Sequence, residues 1–562
     1  MQKTVVIFGA GVAGLSAAHE FSRLGYQVTI YESNPDAGGF FRSARMDKDQ
    51  GMPSEYSWHG FGPWYHNTYD IMRQIPFDDH NSVYDKSLSR PINYGIAHDQ
   101  TNEDEDVNDC FRALKRFRMT MWDKMRWAIL LFKTWSANNR TKEYYSRLNA
   151  SDAWKPIMSD RGWKTWRSTF GPWVGSDWTR VSLHHVGQFF RRNLMSGERH
   201  EHKSDDEGEE WSQGAGDGWL LLRGPSNEFW FDKWVKYLQE KGVKMLWQTS
   251  LRKLVYNGKS ITGACLSSGE MVHADIYVVA INPFSAADIF DQTPELAALD
   301  ELRFFRPLIG DGPHTQVSFH LAFSERVSWP KERSALLLPD SEFNLTLFPE
   351  EQVWSEDVVL GDGVVSLWTG TACVSSVPGR KYGLALSHCT KEQFIEEIKD
   401  QLSRCAELNL LLKQANQGRE LKDFSLLRIE VWHEWQFSSA GIKPRQPKWV
   451  MSNHTQPYLP SQRTPVPNLL LAGAHTKTDA DIWSIEAAVE SGRRAAKIIE
   501  PEVHVIEQYK PSWLRAISAI DDICFRLRLP HVLDILLIIV SVIIILFLVR
   551  LSLRITWYIS FF

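Results

Sequence analysis

The first 32 residues hold the feature that most restricts the fold. An apolar run from Thr4 to Phe8 predicts a buried strand, and Gly9, Gly11 and Gly14 follow it at GxGxxG spacing. Helical periodicity then runs through Leu15, Ala18, Phe21 and Leu24 until Gly25 stops it. A second strand is predicted from Gln27 to Tyr31, ending on Glu32, 18 residues past Gly14. Gly9 permits a tight turn, Gly11 lets backbone approach a pyrophosphate, and Gly14 lets helix pack on strand. The helix N-terminus at Val12 and Ala13 offers unpaired N–H groups to phosphates, and Glu32 can accept hydrogen bonds from a ribose hydroxyl. The pattern predicts an α/β dinucleotide-binding unit. A glycine-rich turn in some other βαβ unit is the alternative, and strand, helix and Glu32 in register weigh against it.

NAD and FAD both use this arrangement, so a second motif has to choose between them. Asp36 to Ser43 carries the pair Gly38-Gly39, followed by Phe40 and Arg42, and resembles the second signature of the flavin-containing amine oxidase and phytoene desaturase superfamily. The resemblance implies FAD, with Gly38, Gly39, Phe40 and Arg42 continuing the pyrophosphate and ribityl contacts. Many members carry a basic residue where Phe40 stands. Glu55 to Asn67, including Gly60 and Phe61, resembles the desaturase segment that turns under the isoalloxazine. Leu222 to Ser226, Trp234 to Leu238 and Gly242 to Lys244 resemble the helix and strand that re-enter the cofactor domain. Leu251 to Leu254 falls where the family's backbone contacts adenine, and Ala274 to Ala280 resembles its returning core strand. Val466 to Gly473, then Ala474 and His475, leads to Ile482 to Gly492, which resembles the family's closing strand, turn and helix. In that helix Ile485 and Ala488 are implied to lie near the flavin, where the N-terminal dipole favours negative charge on the reduced ring. Relatives usually place an aspartate where Ala474 stands. The pattern is most similar to carotenoid (phytoene and zeta-carotene) desaturase-like oxidoreductases.

The fold implied is a discontinuous Rossmann-like FAD domain interleaved with an α+β substrate domain. The expected cofactor-domain parts are 1–65, 215–290 and 455–500; the substrate domain takes 66–214, partly helical, and 291–454, which contains a sheet. An amphipathic linker at 501–530, a membrane anchor at 531–551 and a short tail at 552–562 complete the chain. With 562 residues, an interleaved two-domain protein with a tail uses the length well.

A net charge of −5, with dispersed basic residues and no recognised binding motif, gives nothing for nucleic acid to hold. Six cysteines without paired spacing suit a reducing compartment. The first core strand follows Met1 almost at once, leaving no room for a signal peptide. Thr101 to Asp109 and Gly197 to Gly218 read as polar surface loops, and His200 and His202 lie in a run of charges, so no metal site is expected. From Ile535 to Val549 only Ser541 is polar, which makes about 22 Å of helix. Adding Val532, Leu533 and Leu551, with Arg550 snorkelling, brings it near a full span of the roughly 30 Å hydrocarbon core. A spanning or monotopic C-terminal anchor is therefore expected. Lys510, Arg515, Arg526 and Arg528 ahead of it place the catalytic body in the cytosol. Met119 to Trp135 mixes Trp, Met and Leu with basic residues and has two readings: a helix at the bilayer surface, or a core helix with a basic edge. The 24 tryptophans do not separate the two, since Trp also serves ordinary cores and flavin pockets.

The substrate class has to come from pocket residues. His314 to Phe323 predicts an alternating strand with His314, Gln316, Ser318 and His320 on one face and Val317, Phe319, Leu321 and Phe323 on the other. By resemblance the polar face overlooks the flavin, which makes His314 and His320 candidate acid/base residues; ordinary sheet histidines are the alternative. Amine oxidases commonly hold a lysine on this strand, and it has none. The expected activity is hydride transfer from an apolar, isoprenoid or carotenoid-like substrate to FAD, with an unidentified electron acceptor reoxidising it. A flavin amine oxidase, with Trp483 as one wall of an aromatic cage, is the main alternative. A flavin-dependent isomerase or dehydroxylase of a lipid, and a non-catalytic tethered scaffold, are the others.

Overall fold

In the computed structural model, residues 2–45, 51–55, 59–88, 94–101, 118–164, 166, 179–196, 219–310, 312–329, 335–438 and 441–559 are described. The loops expected at 102–109 and 197–218, with His200 and His202, lie outside them.

The N-terminal unit forms as its pattern requires. Strand Thr4–Phe8 pairs in parallel with Gln27–Tyr31 on one side and Ile276–Val279 on the other. Lys244–Leu246 and Leu469–Leu471 extend the sheet at its two edges, so five parallel strands come from three separated stretches of chain. Both faces are covered, as parallel sheets demand. Val5, Ile7, Val28 and Ile30 face helices Val12–Arg23 and Ile485–Ile499. Val6, Phe8, Tyr277 and Leu471 face the antiparallel strands Leu251–Tyr256 and Ile261–Leu266 and helix Pro283–Asp291. A Cβ on Gly14 would stand 1.9 Å from the Gly9 carbonyl oxygen, which is why that position has no side chain.

A second sheet of six strands runs in the order Leu426–Val431, Val317–Phe323, Ser366–Ala372, Leu345–Pro349, Ala335–Leu338 and Tyr94–Ile96. The alternation of the His314 to Phe323 segment holds. Val317, Phe319, Leu321 and Phe323 enter an apolar core with helices Lys391–Arg404 and Ala406–Ala415. The regular strand starts only at Val317, because His314 leaves the ladder to bridge Lys448.

Helix Met121–Trp135 packs on Leu183–Leu194, where Gly187 lies against Thr134 and its carbonyl accepts from Trp135 Nε1 at 2.7 Å. Its C-terminal half is core and its N-terminal half is exposed. Leu131, Thr134 and Trp135 are buried, whereas Met121 and Trp122 are 79% and 65% exposed.

After the closing helix the chain crosses the body as a strap. The Ile506 N–H donates to Asn67 Oδ1 at 2.9 Å, and Gln508 Nε2 donates to the Trp64 carbonyl at 3.1 Å. Helices Ser512–Arg526 and Val532–Ile559 follow. The buried Asp521 carboxylate pairs with Arg140 at 3.0 Å, Asp522 accepts from the Asn139 N–H at 2.9 Å, and Asp534 pairs with Lys133. These contacts fix the base of the last helix. Its apolar part, Val532–Leu553, covers 22 residues at a mean hydropathy of 3.4 with none of it buried, about 33 Å of helix.

Candidate active site

The predicted cofactor loops meet along one cavity of about 590 Å³. At one end it is walled by Gly9, Gly11, Val12 and Ala13, then by Glu32, Gly38, Gly39 and Phe40, with Leu251 beyond them. The other end is walled by Gly60, Gly473, Ala474, Trp483, Ile485 and Ala488.

The first end fits a dinucleotide. Gly9, at φ +104°, turns the chain so tightly that a Cβ would meet the Ala280 oxygen at 2.5 Å. Gly11 caps helix Val12–Arg23 without a side-chain hydrogen bond, so the first-turn N–H groups face the cavity at the positive end of the dipole. Gly11 and Gly39 present bare backbone to each other, the nearest heavy atom to a Cβ on Gly11 being Gly39 Cα at 3.9 Å. Glu32 is held at the rim by the Ala10 N–H at 2.7 Å and the Asn34 N–H at 2.8 Å, with its carboxylate on the cavity.

Helix Ile485–Ile499 ends the other side. Ser484 caps it, accepting from the Ala487 N–H at 3.2 Å, and Ser484, Ile485 and Ala488 lie on the cavity wall. Glu486, in its first turn, is fully buried and turns away to cap helix His66–Gln74, accepting from the Asn67 and Thr68 N–H groups at 2.9 Å each. Burial pushes that carboxyl up, and the Asn67 and Thr68 hydrogen bonds hold it back. This lock joins the closing helix to the segment that walls the ring end.

Five expected contacts lie off the cavity. Gly14 acts in helix packing. Arg42 is drawn away to Glu434 at 3.3 Å and lies 5.8 Å from the Trp432 ring centre. Phe61 is buried among Phe41, Trp230 and Tyr65. His314 is buried at the bridge to Lys448, its N–H donating to the Lys448 carbonyl at 2.8 Å. His320 accepts from the Glu55 N–H at 3.4 Å through Nε2 and meets Thr369 Oγ1 at 3.2 Å through Nδ1; burial lowers its pKa to about 4. Neither histidine lines the cavity.

At the ring end the expected Trp483 and the Glu55 to Asn67 segment are joined by aromatic residues that the sequence did not place there. Trp64, Tyr65, Phe189, Trp219, Trp449 and Trp483 form the walls of this chamber. Burial holds its basic groups toward their neutral forms: His59 is lowered, His185 and His475 come down to about 3, and Lys448 comes down to about 7. The polar strand itself has no lysine, but Lys448 reaches the cavity from outside it. It arrives from the neighbouring segment, where the bridge to His314 sets it on the cavity wall. Its Nζ donates to Gln316 Oε1 and lies 5.1 Å from the Trp483 ring centre. The signal in the sequence was a single lysine inside Pro447-Lys448-Trp449-Val450-Met451, a poor setting for a solvated charge.

The model of flavin containing amine oxidoreductases matches residues 12–499. The chain belongs to that family. A probable zeta-carotene desaturase of Synechococcus elongatus is 25% identical over 529 residues, covering 88% of this chain and 98% of that protein. The zeta-carotene desaturase of Solanum lycopersicum is 24% identical over 535 residues, 88% of this chain and 80% of that one. An L-amino-acid oxidase of Gloydius blomhoffii is 53% identical, over only 47 residues or 8% of this chain and 9% of that one. Among solved structures, a putrescine oxidase variant aligns at TM-score 0.58 and 14% identity, over 89% of this chain and all of that one. An oxidoreductase of Methanosarcina mazei aligns at 0.53 and 16%, with the same coverage. These two share the fold. As a member of the family, the protein is an FAD-dependent oxidoreductase. The residues of the glycine end are those that would hold the FAD pyrophosphate and ribose, and the chamber would hold its ring.

Proposed function

We propose that the protein removes hydrogen from an apolar, isoprenoid-like substrate drawn from a membrane. The observation that carries this reading is the chamber: six aromatic side chains supply most of its apolar wall, and burial holds its histidines toward their neutral forms. A bound flavin supplies the hydride acceptor there. The aromatic walls would exclude water and hold the substrate carbon against the ring, and the N-terminus of Ile485–Ile499 would stabilise negative charge gained on reduction. The desaturase relatives support the same substrate class.

Membrane anchoring belongs to this reading. The exposed Val532–Leu553 helix is long enough to span, and the exposed Trp513, Ile520 and Ile523 on the preceding helix extend its apolar surface toward the body. Phe132, on the helix that also exposes Met121 and Trp122, stacks on Trp513 with ring centres 6.1 Å apart. The basic residues before the span keep the catalytic body on the cytosolic side.

Lys448 favours a second reading, amine oxidation. A lysine lowered to about 7 beside Gln316 and Trp483 is suited to take a proton in the chamber. Incubating the protein with membrane lipid extract and an electron acceptor tests the choice. A lipid product lighter by H₂ supports the first reading; unchanged lipids, with an added amine converted to its imine or aldehyde, refute it.

A further inference from the structure

His59 stands between two cavities. It lines the flavin chamber, and it also lines a smaller cavity of about 30 Å³ shared with Glu55, Glu350, Val353 and Trp354. His59 Nδ1 lies 3.8 Å from Glu55 Oε2, too far for a direct hydrogen bond. A volume of about 10–15 Å³ takes one water, so the small cavity has room to bridge them.

The groups around it form a connected set. Glu55 Oε1 accepts from the Ser226 N–H at 3.0 Å, which leaves Oε2 toward His59. The Glu55 N–H donates to His320 Nε2, so His320 Nδ1 carries the proton that Thr369 Oγ1 accepts. Thr369 in turn bonds the Glu350 carboxyl, which burial drives well above the usual carboxylate range, with Glu55 and Glu351 adding to the effect. Glu351 faces the other way, accepting from the Leu367 N–H at 3.3 Å. Glu350 is itself buried, and beyond it Val353 and Trp354 are half-exposed, so the small cavity lies one residue layer from solvent.

Resting on the oxidoreductase reading, we propose that His59, Glu55 and Glu350 form a water-bridged proton path between the flavin chamber and the surface at Val353 and Trp354. Oxidation of a C–H/C–H or C–H/N–H pair sends a hydride, with both electrons of its bond, to the bound flavin. The electrons of the second bond become the new π bond, and its proton has to leave the chamber. His59 takes that proton on its ring, and the imidazolium so formed releases one proton through water to Glu55 Oε2. Glu350, on the same cavity, hands it outward. The path serves either substrate class and runs inward when the flavin is reduced without substrate. His320 and Thr369 are positioning residues that hold Glu55 and Glu350 in place, which accounts for a buried histidine that does not line the chamber.

The test needs no substrate. The full-length, FAD-loaded protein is reduced photochemically in unbuffered solution while a pH-indicator dye follows proton uptake and infrared difference spectra follow protonated carboxyl groups. Wild type is expected to show a carboxyl C=O band that shifts on reduction, with proton uptake keeping pace with bleaching. Glu350→Gln is expected to lose that band and to slow uptake at least tenfold, with flavin content unchanged. Wild-type uptake and an unchanged band in Glu350→Gln overturn the path. If that variant loses flavin, His59→Gln and Glu55→Gln are read in the same way, and wild-type uptake in every loaded variant overturns it equally. Wild-type protein that holds no flavin defeats the cofactor assignment instead.

Discussion

Replacing Gly11 with leucine should empty the cofactor site without unfolding the protein. Gly11 has an ordinary φ of −73°, and a Cβ there meets no protein atom closer than 3.9 Å, so the added side chain is unstrained and grows into the cavity. The fold loses only the advantage of glycine over a non-capping residue at a helix N-cap, about 0.5–1 kcal/mol. A dinucleotide loses its approach to the first-turn N–H groups. Two N–H bonds to a charged phosphate oxygen are worth about 1.5–3 kcal/mol each, so FAD affinity should fall by about 3–6 kcal/mol, or two to four decades. Titration of apoprotein with FAD, followed by flavin fluorescence, measures Kd; urea unfolding of the same preparations measures the fold. Wild-type Kd in the leucine variant would show that the phosphates lie elsewhere. Gly14→Ala gives the contrast: its Cβ meets the Gly9 oxygen at 1.9 Å, so stability should drop first.

Lys448 gives a pH signature. Its folded pKa, about 7, lies below the unfolded value near 10.4, so the unfolded chain holds an extra proton between them. Its contribution to stability therefore rises with pH across that window, by at most about 1.4 kcal/mol per unit, and is flat below pH 7. Lys448→Met should abolish this rise, seen as a urea midpoint that changes less between pH 7 and pH 9 than in wild type; an identical change would place the lysine in water. Arg140→Ala strands the buried Asp521 carboxylate and should cost about 3 kcal/mol. Limited proteolysis should then cut in the strap at 501–511, and unchanged resistance would show that Arg140 does not hold the tail helices.

The cofactor end was legible because its parts are local. Thr4 to Glu32 encodes strand, turn, helix and strand within one stretch, and Leu469 to Gly492 encodes strand, turn and helix for the closing unit. Long-range pairing hid the rest. Alternation set the faces of the Val317–Phe323 strand correctly, yet nothing in the order of residues shows that Glu55 lies between His320 and the chamber. Arg42 is drawn off by a carboxylate 392 positions away. Lys448 enters the site 132 residues after the glutamine it bonds, through a single bridge outside any regular strand. Trp64, Tyr65, Phe189 and Trp219 come from three segments, and only the fold makes one wall of them.

Anaerobic bleaching of the bound flavin in the full-length protein tests the central claim most directly. Extracted membrane lipids should bleach the visible flavin absorbance where a panel of amines leaves it unchanged; bleaching by the amines alone would contradict the account.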